Sequence, residues 1–86
     1  MTLRHSTIRD NLTLTYGGGV YLSDGAELYL EEGSLITRNF GAGGSGVDTE
    51  AGTTVTIGAD SAIRDNTFNP ETPQCGGEGT VIGTCG

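Results

Sequence analysis

The residues best equipped for chemistry are few, and they fall in separate places along the chain. Gly43-Gly-Ser-Gly-Val-Asp48-Thr-Glu50-Ala51 has the spacing of a calcium-binding nonapeptide, in which turn carbonyls and a carboxylate ligate the ion between stacked strands. Two features oppose that chemistry: the position that should be large and apolar is Glu50, and the counterpart of Asp48 one repeat earlier is Tyr21, so no second half-site stacks on it. No metal is expected here. Polysaccharide cleavage would need paired carboxylates, calcium aspartates or a cationic base on neighbouring strands. Glu31 and Glu32 are adjacent but lie in a turn, Arg38 stands between Asp10 and Asp65, Lys is absent, and His5 has no counterpart elsewhere. No catalytic residue and no cofactor is therefore expected. Cys75 and Cys85 are ten residues apart; joined, they would close a small loop, stabilise it by roughly 2 to 3 kcal/mol and point to an oxidising compartment. Zinc would need more than two cysteines and a remote histidine.

What positions these residues is a repeat. Ser6-Thr-Ile8-Arg-Asp-Asn11, Ser34-Leu-Ile36-Thr-Arg-Asn39 and Ser61-Ala-Ile63-Arg-Asp-Asn66 share the pattern S-x-I-x-x-N, with isoleucines 28 and then 27 residues apart. The register extends further: Val20 matches Val47, Gly25 matches Gly52, and Leu28-Tyr-Leu30 matches Val55-Thr-Ile57, while Met1-Thr-Leu3 aligns with those triplets. Alternation of apolar and polar residues in the triplets is the period-two mark of strands with one face inward. Asp24-Gly25, Glu32-Gly33 and Gly17 to Gly19 supply the turns between them. The anchors Val20, Leu28 and Ile36, then Val47, Val55 and Ile63, recur every eight residues, which predicts a three-sided coil. The expected core is Ile8, Val20, Leu28, Ile36, Val47, Val55 and Ile63.

These features predict an all-β fold: a parallel β-solenoid of about three coils of roughly 27 residues. The segments are 1–16, a partial first coil; 17–43 and 44–68, two full coils; and 69–86, a loop containing Pro70, Pro73 and both cysteines, with the repeat resuming at Gly79-Thr-Val81. Stacking places equivalent residues about 4.8 Å apart, so each column must tolerate itself. Asn11, Asn39 and Asn66 form an expected asparagine ladder, each amide donating to the next carbonyl while the residue itself tolerates a turn conformation. Ser6, Ser34 and Ser61 form a parallel serine column. Beside them Asp10, Arg38 and Asp65 alternate in sign, and Arg9, Thr37 and Arg64 never stack like charges on adjacent coils; the expected role is cross-repeat pairing. Thr13-Leu-Thr15 and Thr54-Val-Thr56 suggest ice-binding ranks, but Glu27-Leu-Tyr29 interrupts them. Asn11-Leu-Thr13 is a glycosylation sequon whose asparagine belongs to the ladder.

With these motifs in place, the chain resembles the right-handed parallel β-helix repeats of bacterial surface proteins, most closely the polymorphic outer-membrane protein type. That family repeats G-G-A-[ILV] and F-x-x-N. The first is matched here by Gly17-Gly-Gly-Val20 and Gly44-Ser-Gly-Val47, and the second by Ile8-Arg-Asp-Asn11, Ile36-Thr-Arg-Asn39 and Ile63-Arg-Asp-Asn66. Ile stands for Phe and Gly for Ala, and the resemblance covers about residues 1–68. It implies right-handedness, surface display and binding of a surface ligand, glycan or protein.

Composition narrows the partners. Eighty-six residues with 11 acids, four basic residues and a net charge of −7 disfavour nucleic acid and anionic lipid. Residues 1–14 lack the apolar stretch of a signal peptide core, and no apolar run reaches the ~18 residues of a membrane span. Strand edges at both ends of a solenoid invite continuation or edge-to-edge self-association, so a segment of a longer array is expected. The function expected is a non-enzymatic structural or adhesive element of a secreted or cell-surface protein. The alternative is part of a polysaccharide-active β-helix enzyme whose catalytic coils lie elsewhere.

Overall fold

In the computed structural model, residues 1–67 and 73–85 are described. They hold twelve short strands, β1 (Thr2–Arg4), β2 (Thr7–Arg9), β3 (Leu12–Tyr16), β4 (Val20–Leu22), β5 (Glu27–Glu31), β6 (Leu35–Thr37), β7 (Phe40–Ala42), β8 (Val47–Thr49), β9 (Thr54–Ile57), β10 (Ala62–Arg64), β11 (Cys75–Gly77) and β12 (Thr80–Ile82). There is no helix among the described residues, and none that could cross a membrane. Every strand pair is parallel, in four sheets of order β1-β5-β9-β12, β2-β6-β10, β4-β8-β11 and β3-β7. Partners are separated by 26 residues, as in Thr54 with Thr80, to 28, as in Val47 with Cys75. The sequence repeat is thus the pairing register.

The strands form because apolar side chains alternate and left-handed residues end each run. Asp24 and Gly25 have φ of 54° and 74°, and Glu32 and Gly33 have 56° and 77°. Two consecutive left-handed residues reverse the chain in minimal length, and Gly meets that need without strain. Inward residues meet in one core. Leu28, Ile36, Val47 and Val55 are fully buried, Ile63 nearly so, and Val20 is 8% exposed; Leu22, Leu30 and Ile57 complete the cluster. Each fully buried Leu or Ile stabilises the fold by roughly 1.5 to 3 kcal/mol. Ile8 is only half-buried, because its sheet ends at β2 with no strand beyond to cover it.

Two features differ from expectation. Three sides were expected from the eight-residue spacing, but β3 and β7 form a fourth pairing. Leu12 aligns with Phe40 and Tyr16 with Ala42, so three intervening residues of β3 stand opposite one of β7. That irregularity hides the pairing from any fixed-offset comparison. At the ladder turn the asparagines themselves do not take the left-handed conformation. The residues before them do, Asp10, Arg38 and Asp65, with φ of 58°, 56° and 58°. The reason is directional: the left-handed residue sends its side chain to solvent, and the asparagine that follows turns its amide inward along the stack. Second, the loop expected over 69–86, with the repeat resuming at Gly79, is already strand at β11, which pairs with β8 from Cys75 onward; its part at Pro70 lies outside the described residues.

Candidate functional site

The most organised polar constellation is the column of amides beside β2, β6 and β10. Asn11 donates from its backbone N and from Nδ2 to Asn39 Oδ1, at 3.1 and 2.9 Å, and Asn39 repeats both bonds to Asn66 Oδ1, each at 2.9 Å. The amides also reach back to the preceding repeat: Nδ2 of Asn39 donates to Ile8 O and Nδ2 of Asn66 to Ile36 O, at 3.2 and 3.1 Å. Asn39 and Asn66 are 1% and 2% exposed, so each bond is made in a medium where leaving it unmade would cost the full desolvation of the group. The serine column is built alike. Ser6 N donates to Ser34 Oγ at 3.3 Å, and Ser34 N to Ser61 Oγ at 3.1 Å.

The ladder has a fourth member that the repeat did not reveal. Asn66 donates from its backbone N and Nδ2 to Gln74 Oε1 at 2.8 and 2.9 Å, while Gln74 Nε2 donates back to Asn66 O at 2.8 Å. Gln74 arises from a different column. Its carbonyl accepts from the N–H groups of Gly46 and Val47, as the carbonyl of Gly46 accepts from Gly19 and Val20. Gln74 therefore occupies the Gly19, Gly46 column and reaches sideways into the asparagine column. The glycines at 19 and 46 are required by the ladder itself: a Cβ at Gly46 would lie 2.6 Å from Asn66 Nδ2, and one at Gly19 would lie 2.9 Å from Asn39 Nδ2. A longer residue fits at 74 because its own amide fills that space. The only signal in the sequence was an amide residue directly before Cys75, which takes the place of Val20 and Val47.

Outward-facing residues form charged and aromatic pairs. Tyr21 OH donates to Glu50 Oε2 at 2.7 Å and Tyr29 OH to Glu27 Oε2 at 2.8 Å. Both phenols are held above their ordinary pKa, chiefly by donation to a carboxylate; burial and nearby acids add to this at Tyr21, and the Glu27 charge then burial at Tyr29. Beside Glu50 an open hollow of about 440 Å³ is lined by Thr49, Ala51, Gly77 and Glu78. On another face Arg4 Nε sits 3.1 Å from Glu31, and His5 Nε2 is 3.8 Å from Glu32. Arg38 Nε lies 3.4 Å from Asp10 and Arg9 Nε 3.6 Å from Asp10. Arg38, Arg64 and Asp65 line a second open hollow of about 400 Å³ with Leu35 and Thr37. All of these ion pairs are well exposed, so each contributes at most about 1 kcal/mol.

Asp48 is 7% exposed, and its Oδ1 accepts the N–H of Gly44 at 3.0 Å. The Gly43-Gly44 turn thus offers a donor to the carboxylate, where a calcium loop would aim carbonyls at an ion. No group of three His, Cys, Asp or Glu that could hold a metal occurs among the described residues. The donor set does not fit calcium. Cys75 and Cys85 are joined by a disulfide with Cα atoms 6.2 Å apart. Among the described residues every buried side-chain nitrogen or oxygen has a hydrogen-bond partner. The arrangement therefore commits its buried polar groups to holding the stack and leaves tyrosines and charged pairs on the outside. Comparison with protein-family models, curated proteins and solved structures finds no match.

Proposed function

We propose that the chain is part of a right-handed parallel β-helix of about three coils, and that it serves as a rigid, non-enzymatic structural or adhesive element of a secreted or cell-surface protein. The supporting observation is the unbroken amide row from Asn11 to Gln74, which runs beside parallel strands paired at nearly constant register. A buried row of this kind resists shear between coils, which a stalk or display scaffold needs. The right hand and the surface setting follow from the resemblance to polymorphic outer-membrane repeats. The disulfide suits an oxidising compartment. Ligand contact belongs on the outer faces, where Tyr21 and Tyr29 are 46% and 37% exposed and tied to carboxylates. Such aromatic and polar groups suit a glycan or a protein surface.

The test is retention of the labelled chain on arrays of glycans and extracellular proteins, run beside a viscosity assay on acidic polysaccharides. Saturable retention weakened by Tyr21→Ala and Tyr29→Ala, with viscosity unchanged, supports the adhesive reading. A falling viscosity sinks it in favour of the polysaccharide-active alternative.

A further inference from the structure

The corners of the stack differ in how firmly their backbone is held, and one of them leaves an aspartate free beside a glycine. The turn from Ser23 to Ala26 carries β4, of one sheet, into β5, of another. It is closed by one hydrogen bond, from Ala26 N to Ser23 O at 3.1 Å. Within it Asp24 and Gly25 are both exposed, with φ of 54° and 74°. Asp24 makes no ion pair and no hydrogen bond among the described residues, and the N–H of Gly25 has no acceptor among them. A Cβ built on Gly25 would meet nothing within 4 Å, so the space around this peptide bond is open. This is the one Asp-Gly pair in the sequence.

No other aspartate or asparagine among the described residues meets these conditions. Asp10 and Asp65 each precede an asparagine whose N–H is committed to the amide row, Asn11 N to Asn39 Oδ1 at 3.1 Å and Asn66 N to Gln74 Oε1 at 2.8 Å. Asp60 precedes Ser61, whose N–H donates to Gly58 O at 3.0 Å, and Asp48 is 7% exposed and runs into Thr49 within β8. Asn39 and Asn66 have their side-chain amides bonded in the row, and the N–H groups of Phe40 and Thr67 that follow them donate to Asn11 O and Asn39 O. Asn11 is bonded likewise and precedes the bulky Leu12. Glu32-Gly33 sits in a turn of similar φ, but its side chain is one carbon longer, and the larger ring it would close forms far more slowly.

We propose that Asp24-Gly25 is a site of spontaneous backbone modification. The nitrogen of Gly25 attacks Cγ of Asp24; a C–N bond forms while the hydroxyl of the protonated carboxyl and the amide proton depart together as water. The product is a succinimide ring, which Gly25 admits because it has no side chain to crowd it. Water then adds to one of the two ring carbonyls. Opening at Cγ restores aspartate, and opening at the former peptide carbonyl leaves an isoaspartyl residue joined to Gly25 through its side-chain carbon. Water lost is water regained, so mass is unchanged and no oxidant, metal or partner takes part.

The isoaspartyl link adds one carbon to the main chain across the corner. Leu22 and Glu27 stay fixed by pairing with Thr49 and Thr54, so the extra length goes into the turn and breaks the bond from Ala26 N to Ser23 O. Tyr21 and Tyr29 stand on either side of this corner. A mark of age thus accumulates between the two aromatic residues of the proposed ligand face, by chemistry that is independent of what that face binds.

Incubation of the full, oxidised chain at physiological temperature in water enriched in heavy oxygen, followed by peptide mapping with mass spectrometry, tests this. Isoaspartate accumulates at position 24 with a heavy oxygen atom incorporated, a minor form of the same peptide is lighter by one water, and Asp10, Asp48, Asp60 and Asp65 stay unaltered. Asp24→Asn gives the same ring with loss of ammonia instead of water, and faster. Asp24→Ala abolishes the product and keeps the fold, because the corner one repeat on, closed by Thr53 N to Glu50 O at 3.2 Å, already holds Ala51 in that place. In the aged wild type, amide exchange quickens at Ala26 and is unchanged at Leu28 and Val55. Isoaspartate that is absent at position 24, spread evenly over all the aspartates or free of heavy oxygen overturns the proposal, as does an Asp24→Asn chain that keeps its side-chain amide through the same incubation.

Discussion

The turn that carries Asn39 and the strand pair β3–β7 lie next to each other in the chain, yet one is far more constrained than the other. At the first, Thr7, Leu35 and Ala62 share one register and the amide row runs through it with both asparagines of its interior buried. At the second, the pairing slips between Leu12 and Tyr16, and Leu12, Leu14 and Tyr16 are 71%, 82% and 61% exposed. The lesson is about columns. A column whose members bond to one another fixes spacing to the residue, whereas a column held only by backbone pairing at its ends accepts extra residues.

Insertions give the sharpest contrast. One glycine added between Thr37 and Arg38 moves Asn39 out of its column and flips every later side chain on that side; loss of cooperative unfolding by circular dichroism is the expected result. The same glycine added after Leu14 lengthens a run that is already irregular, and costs well under about 1 kcal/mol. Equal damage at both places would erase the distinction.

Next in size is Asn39→Ala. It strips the acceptor from Asn11 and the donors from Asn66 Oδ1 and Ile8 O, and should cost about 3 kcal/mol, at roughly 1 to 3 kcal/mol per buried group left unsatisfied, read as a shift in the urea midpoint. Asn11→Ala, at the exposed end, should cost no more than about 1 kcal/mol. Gly46→Ala drives a methyl to 2.6 Å from both Asn66 Nδ2 and Ile63 Cγ2, with an expected loss of about 1 to 3 kcal/mol from overpacking. Smaller again is an alkaline effect. The Tyr21 and Tyr29 pKa values are raised in the folded chain, so their contribution is whole below the unfolded value of 10.0 and fades as pH rises through the folded values. Tyr21→Phe with Tyr29→Phe should flatten that part of the stability curve. Leu14→Ser, at the other extreme, should leave the urea midpoint within about 0.5 kcal/mol.

The ladder region was readable because three hexapeptides repeat their serine, isoleucine and asparagine at matching offsets, and matching offsets are what parallel stacking requires. Val20 against Val47 and Leu28 against Val55 were readable for the same reason, and they pair as aligned. The β3–β7 pair was not, since Leu12-Thr-Leu-Thr-Tyr16 and Phe40-Gly-Ala42 share neither residues nor length. Gln74 escaped because its role comes from chain reach: it starts in a glycine column and ends in an asparagine one. The tyrosine–glutamate pairs join residues 29 and two positions apart, and neither spacing repeats. The left-handed residues before each asparagine escaped because Asp, Arg and Asp share no conformational preference that would mark them.

The amide row points one way. Asn11 donates to Asn39, Asn39 to Asn66 and Asn66 to Gln74, so their dipoles align with the oxygen end at Asn11 and the N–H end toward β10. Formal charge is distributed in the opposite sense, basic near Asn11 and increasingly acidic beyond it. This is the relation that carboxylates have to the N-terminus of an α-helix, where negative charge collects at the positive end of a row of peptide dipoles. The side-chain row thus acts as a small macrodipole where the described residues hold no helix, and it offsets part of the repulsion among the acids gathered at its far end.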